Sequence, residues 1–216
     1  MSDKVEIVLN DVLLDRVSLA TPFKSKQPQI DTRTGQAKPD KYHIDAIFGE
    51  THPQFKELIG VIRAAAVKRF SEKADQVLAM IKGNNQRFCL QRGDQYRAGK
   101  PHYAGKLYLS AGNETQPTIL ATVNGVNVQN RGSAAVLTPA DDVWPYAGCK
   151  ANVHLQFYGY DFNGAGIGCS VLGVQFAGHG PRLSNAVVSS GKEFGLTVGD
   201  ADKPAPSQST GGESLV

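Results

Sequence analysis

Two clusters of side chains in this chain have the types and spacing to hold an unpaired nucleic-acid strand. The first is Tyr158 and Tyr160, two residues apart in a stretch where Ala151, Val153, Leu155 and Phe157 occupy every second position. A period of two sends one set of side chains to a core and the other to the opposite face of a strand. That opposite face carries Asn152, His154 and Gln156 and ends in the two phenol rings. The second cluster runs from Arg92 to Tyr108. There Arg92, Arg97, Lys100 and Lys106 interleave with Tyr96, Tyr103 and Tyr108. Aromatic rings stack on bases for roughly 1–3 kcal/mol per base, whatever the base, and cations neutralise phosphates. Rings and cations side by side therefore suit a groove that follows a strand without reading its sequence.

Other candidates are more dispersed. Lys24 and Lys41 bracket a basic loop that also holds Lys26, Arg33 and Lys38, with Pro28, Gly35 and Pro39 opposing regular structure. Lys150 precedes the alternating strand and is placed to reach a phosphate. Tyr146, next to Pro145 and Trp144, is a further ring that could lie in such a groove.

The elements that must position these residues can be traced along the chain. Trp144 to Phe176 reads as a β-hairpin, with its turn at Asn163-Gly164 and its second strand from Ile167 to about Phe176. Val5 to Leu19 gives one or two strand pieces. Tyr42, Ile44, Ala46 and Phe48 define one face of another strand. Thr51-His52-Pro53-Gln54 is a helix start, with Thr51 as cap, Gln54 closing a capping box and Pro53 in the first turn. Phe55, Leu58, Ile59, Ile62, Ala66 and Phe70 follow at helical spacing, and a second helical piece covers Ser71 to Ile81. A short strand is expected at Arg87 to Leu90. Strands at Lys106 to Ser110 and Pro117 to Val123 are joined through Gly112-Asn113, and Asn124 to Ala140 reads as a loop with a strand fragment at Ala134 to Leu137. Strands, one principal inserted helix, then more strands make a mainly β (β-rich α+β) domain, and a Greek-key barrel fits that order.

Bulk properties agree. Of the 216 residues 41% are hydrophobic and 20% charged, enough to build a core. The net charge is +3. Residues 190 to 216 contribute −2, from Lys192 and Lys203 against Glu193, Asp200, Asp202 and Glu213, which leaves +5 on the remainder. That balance favours an anionic partner. The last residues, rich in Pro, Ser and Gly, are expected to be a flexible, slightly acidic tail. The three cysteines, Cys89, Cys149 and Cys169, lack a CxxC spacing and read as reduced core thiols. No membrane span and no signal-peptide hydrophobic region are seen, so a cytoplasmic protein is expected.

The sequence also resembles a known family. Trp144-Pro-Tyr146-Ala-Gly148-Cys149-Lys-Ala-Asn152, then Phe157-Tyr158-Gly-Tyr160-Asp-Phe-Asn163-Gly164, then Gly166-Ile167-Gly-Cys169, is similar to a tailed-phage family of OB-fold single-stranded DNA-binding proteins. Arg92-Gly93-Asp94 to Gly105-Lys-Leu-Tyr108-Leu-Ser-Ala111 resembles the same family in the same order. The resemblance covers about residues 4 to 185. It implies an OB-fold domain over residues 1–185 with a tail over 186–216, coating unpaired DNA during phage replication or recombination in the host cytoplasm. Single-stranded DNA is the expected partner, with duplex as a weaker ligand and replication proteins docking on the tail. The tail departs from many replication proteins of this kind, because Glu213-Ser-Leu-Val216 has one acid and no aromatic.

Catalysis is not expected. Asp141-Asp142 is the one adjacent acid pair and reads as an exposed loop, whereas two-metal chemistry needs several converging carboxylates. His43, His52, His102, His154 and His179 are scattered, without ligand spacing to the cysteines, so neither a metal nor a cofactor is expected. The alternatives are a phage virion or assembly protein and, less favoured, a recombination nuclease.

Overall fold

A computed structural model describes residues 5–24, 30, 35–132, 136–162 and 164–183. Its elements are β1 (Val5–Phe23), β2 (Lys41–Phe48), α1 (Phe55–Phe70), α2 (Ala74–Ile81), β3 (Leu90–Arg92), a single turn α3 (Gly93–Tyr96), β4 (Leu107–Asn113), β5 (Thr118–Val123), β6 (Val126–Gln129), β7 (Lys150–Asp161) and β8 (Ala165–Gly178). The strands are ordered β3-β4-β2-β1-β7-β8-β5-β6.

β1 is one long strand that serves two neighbours. Its first half pairs with β7 from Val5 to Leu13, and its second half pairs with β2 from Leu13 to Phe23. Asp11 and Arg16 take positive φ, 50° and 49°, near the register shifts that bend the strand. Such bulges let a strand turn the corner of a barrel. The ring closes on the far side through the segment before β3. The Cys89 amide donates to Ile167 O at 3.1 Å, the Ile167 amide donates to Arg87 O at 2.8 Å, and the Ser110 amide donates to Cys89 O at 3.0 Å. β8 is thereby linked to β4, and the circuit β1-β2-β4-β8-β7 encloses the core. The expected barrel class stands.

The alternation expected for the hairpin is the one found: Ala151, Val153, Leu155 and Phe157 are buried and meet Leu9, Leu14, Ile44, Leu109 and Val171 inside the barrel. α1 closes one end with Leu58, Ile62, Ala65 and Ala66, whose burial is worth about 1.5–3 kcal/mol for each large side chain.

The capping box does not form; no side-chain bond caps α1. Gln54 is instead used by β1. Its Nε2 donates to Val8 O at 2.8 Å and its Oε1 accepts from the Asn10 amide at 2.9 Å, while His52 Nε2 donates to Asn10 O at 2.8 Å. β2 begins to pair only at Leu13, so this exposed edge of β1 would otherwise have water as its hydrogen-bond partner. The Gln54 carboxamide acts as a substitute rung. Gln54→Ala is expected to lower stability by about 1–3 kcal/mol, two hydrogen bonds at typical worth. Thermal melting checks this.

Two connections differ from expectation. β4 runs on through Gly112 and Asn113, and its partners are β2 and β3, not β5. β5 pairs in parallel with β8 and antiparallel with β6. The β5–β6 hairpin turns at Asn124-Gly125, whose φ of 50° and 79° suit a tight two-residue turn, where the sequence suggested only a loop. Ala134 and Ala135 of the expected strand fragment, most of the loop between Lys24 and Lys41, Asn163 and the tail from residue 186 lie outside the described residues. No helix among the described residues is long and apolar enough to cross a membrane.

Candidate nucleic-acid interface

The two clusters singled out in the sequence have opposite fates. The Arg92–Tyr108 segment lies against the outer face of β1, β2 and β4, and its rings point inward. Tyr103 is 0% exposed and Tyr108 2% exposed, packed with Ile47, Leu13 and Tyr96 in a second small core. The two rings meet edge to face at 5.2 Å. The expectation that Tyr103 and Tyr108 stack on bases is corrected, since neither ring has an open face. Tyr96 is half-buried and its hydroxyl donates to Gly83 O.

Two aspartates buried on the strands cause this arrangement. Asp45 on β2 is 0% exposed. It accepts from Tyr103 Oη at 3.0 Å and Arg97 Nη2 at 3.1 Å, faces His43 Nε2 at 3.0 Å, and has Arg16 at 3.9 Å. Asp15 on β1 faces Lys100 Nζ at 3.2 Å and His102 Nε2 at 3.1 Å. Burial alone would raise both carboxyl pKa values. For Asp45 the hydrogen bond and charge of His43, with Arg16 and Arg97, outweigh it; for Asp15 the Arg16 backbone amide, His102, Tyr103 and Lys100 do so. Both pKa values end below the ordinary carboxylate range. Burial first, and then the neighbouring Asp45 charge, push the Tyr103 phenol far up, so it stays a neutral donor. The Arg97 guanidinium also lies 4.9 Å from the Tyr108 ring centroid. Arg97 and Lys100 therefore clamp the loop to the barrel, and much of their charge is already matched.

Other predicted cations are spread over the surface. Arg92 pairs with Glu50 at 2.6 Å, Lys41 with Glu114 at 3.6 Å and Lys150 with Asp11 at 3.1 Å. These exposed pairs are worth little and can exchange for phosphates. Lys24 and Lys106 are exposed. Tyr146 is half-buried. Its hydroxyl donates to Gly180 O at 2.9 Å and accepts from the Gly180 amide at 3.1 Å, and Arg182 lies 4.3 Å from its ring centroid. It anchors the chain after β8 to the β7 approach, where Gly148, at φ 106°, lets Pro181 come close.

The hairpin rings are placed differently. Tyr158 is 43% exposed, on the outer face of β7. Tyr160 is half-buried, with its hydroxyl donating to Gln86 O at 3.1 Å, and the two ring centroids are 6.4 Å apart. Partial burial raises both phenol pKa values, so both rings are neutral near pH 7. Beside Tyr158 opens a cleft of about 350 Å³ between β7 and α1, whose lining includes Lys68, Arg69, Gln156 and Tyr158. Arg87 sits close to Tyr160 and Gly164 at the hairpin end, and Phe162 is exposed at the turn. Nothing in the local sequence marks Lys68, Arg69 and Arg87 as ligands to this face. Their proximity depends on how α1 and the segment before β3 fold onto the hairpin, which no local pattern reports.

The family model described as Enterobacter phage Enc34, ssDNA-binding protein, matches residues 7–204. The chain belongs to this family. A relative from Acyrthosiphon pisum secondary endosymbiont phage 1, putative protein p50, is 31% identical over 185 residues, spanning 85% of this chain and 91% of that protein. Among solved structures, the single-stranded DNA-binding protein of bacteriophage Enc34 in complex with ssDNA superposes with a TM-score of 0.61 at 17% identity, covering 83% of this chain and 89% of that one. The single-stranded DNA-binding protein gp2.5 of bacteriophage T7 gives 0.50 at 11% identity, covering 87% and 98%. At such identities the structural likeness concerns the fold: the family's barrel is the one built here.

Among the described residues no group of three or more His, Cys, Asp or Glu side chains could hold a metal ion. Cys89, Cys149 and Cys169 are buried free thiols.

Proposed function

We propose that this protein binds single-stranded DNA without reading its sequence, coating unpaired strands during phage replication or recombination in the host cytoplasm, and that it acts as a binder and not as an enzyme. The observation that carries this reading is the family match over residues 7–204. The surface chemistry supports it. Tyr158 offers a neutral, open ring, Tyr160 lies next to it, and Lys68 and Arg69 line the adjoining cleft. Lys24, Lys41, Arg92, Lys106 and Lys150 supply exposed positive charge elsewhere on the barrel. Duplex DNA presents phosphates but no free base faces, so it is the weaker ligand. Replication proteins are further partners, reached through the C-terminal tail.

Titration with a fluorescent oligo-dT and a matched duplex, at two salt concentrations, tests the proposal. Affinity for oligo-dT is expected to exceed that for duplex and to fall with salt at a log–log slope of about −0.7 per phosphate neutralised. A flat salt response, or preference for duplex, would contradict it.

A further inference from the structure

Three glycines alternate where the turn enters β8: Gly164, in the turn at φ 103°, then Gly166 and Gly168 in the strand. Across the hairpin Tyr158 pairs with Gly168 and Tyr160 with Gly166. At each of these three positions an added Cβ would lie closer than 3.0 Å to a planar group: the Tyr158 ring at Gly168, the Tyr160 ring at Gly166, and the Arg87 guanidinium at Gly164. A strand with glycine at every second position gives up side-chain packing on that face. Here that face is occupied by three planar side chains laid across it from neighbouring segments.

Spacing gives this row a meaning. The two ring centroids are 6.4 Å apart, close to the two-residue repeat of a strand, about 6.6–6.8 Å. Successive nucleotides of a B-form strand are about 3.4 Å apart along the axis. Two bases that remain stacked on one another cannot therefore cover both rings. The rings lie side by side on the sheet, with 47° between their planes. Bases seated on them must be splayed, one to each ring. Arg87 follows at the next position of the row, where its guanidinium can serve as a third flat surface or meet a phosphate.

We infer that the Gly164–Gly166–Gly168 row, with Arg87, Tyr160 and Tyr158 laid upon it, is a platform that takes an extended single strand with one unstacked base per ring, and that Gly166 and Gly168 are the residues that position the rings. This inference rests on the proposed function and specifies the register at that site. A duplex cannot use the platform, because its bases are stacked and paired on every face.

The experiment uses the full chain and three probes: oligo-dT, an abasic oligomer of equal length, and an oligo-dT carrying two adjacent 2-aminopurines, whose fluorescence rises when they unstack. Wild-type protein is expected to bind oligo-dT more tightly than the abasic strand and to raise 2-aminopurine fluorescence. Tyr158→Leu should lose between about 5- and 150-fold affinity for oligo-dT, the worth of one stacked base, with the fluorescence rise reduced and abasic binding unchanged. Gly168→Ala keeps the ring but displaces it, and should show the same selective loss. Melting temperatures report whether each variant is folded, and Tyr158→Leu keeps the test decisive if Gly168→Ala is not. Unchanged oligo-dT affinity in folded Tyr158→Leu, or equal losses on the abasic strand, overturns the platform while leaving single-strand binding intact. Failure of wild-type protein to bind oligo-dT overturns the proposed function, and the platform with it.

Discussion

Asp45→Ala should cost about 3–5 kcal/mol of folding stability, the penalty typical of removing one partner from a buried ionic cluster. Asp45 is 0% exposed and holds Arg97, His43 and Tyr103 within about 3 Å. Without it, the half-buried Arg97 guanidinium loses its counter-charge and the Tyr103 hydroxyl loses its acceptor in a dry site. For a domain of this size the melting temperature should fall by about 6–20 °C. Thermal or urea unfolding measures this, and a change below about 1 kcal/mol would show that the cluster is not what fixes the loop.

The same cluster sets an acid limit. Asp45 and Asp15 have folded-state pKa values below the ordinary carboxylate value of 3.8. A carboxyl whose pKa is depressed by folding contributes stability that is fully present above its unfolded pKa and is lost as pH falls through the folded value. Unfolding profiles should therefore show a loss of stability starting near pH 4 and deepening below it. Asp45→Asn should flatten that part of the profile.

Tyr103→Ala is expected to be nearly as damaging, at about 3–5 kcal/mol, because it empties a fully buried aromatic site and leaves Asp45 without one donor. It contrasts with Tyr158→Leu, where the ring sits on the surface and binding should suffer more than stability. Measuring stability and oligo-dT affinity for both variants separates the two roles. A Tyr103→Ala protein that melts like wild type but binds poorly would reverse the assignment. Tyr103 belongs to the support of the barrel, and the tyrosines that can reach a base are those of the hairpin.

The location of positive charge follows from the same geometry. The basic character of the Arg92–Lys106 segment is a true property of the sequence, but Asp15 and Asp45 have already drawn Arg97 and Lys100 onto the barrel. Asp45 lies in the middle of an apolar strand sequence, Ile44-Asp45-Ala46-Ile47, and Asp15 directly follows Leu13-Leu14. A charge at such a position needs a partner from elsewhere in the chain. That was a readable sign that some nearby cations were structural, though it could not identify them.

The sequence alone specifies the β-hairpin, its buried and outward faces, the extent of α1 and the β-rich barrel class. These rest on local periodicity, and a period of two or 3.6 is written into neighbouring residues. It also carried the family, because the hairpin motif is contiguous. Which tyrosines are open was settled by the three-dimensional packing, since a ring's exposure depends on what folds over it from as far away as Asp45 to Tyr103. That packing decided the pairing of β5 with β8, because strand partners are chosen by closure of the barrel and not by adjacency in the chain. It also decided the use of Gln54, whose side chain reads as a helix cap in one dimension and becomes a rung of the sheet in three, where the edge of β1 is not yet paired with β2.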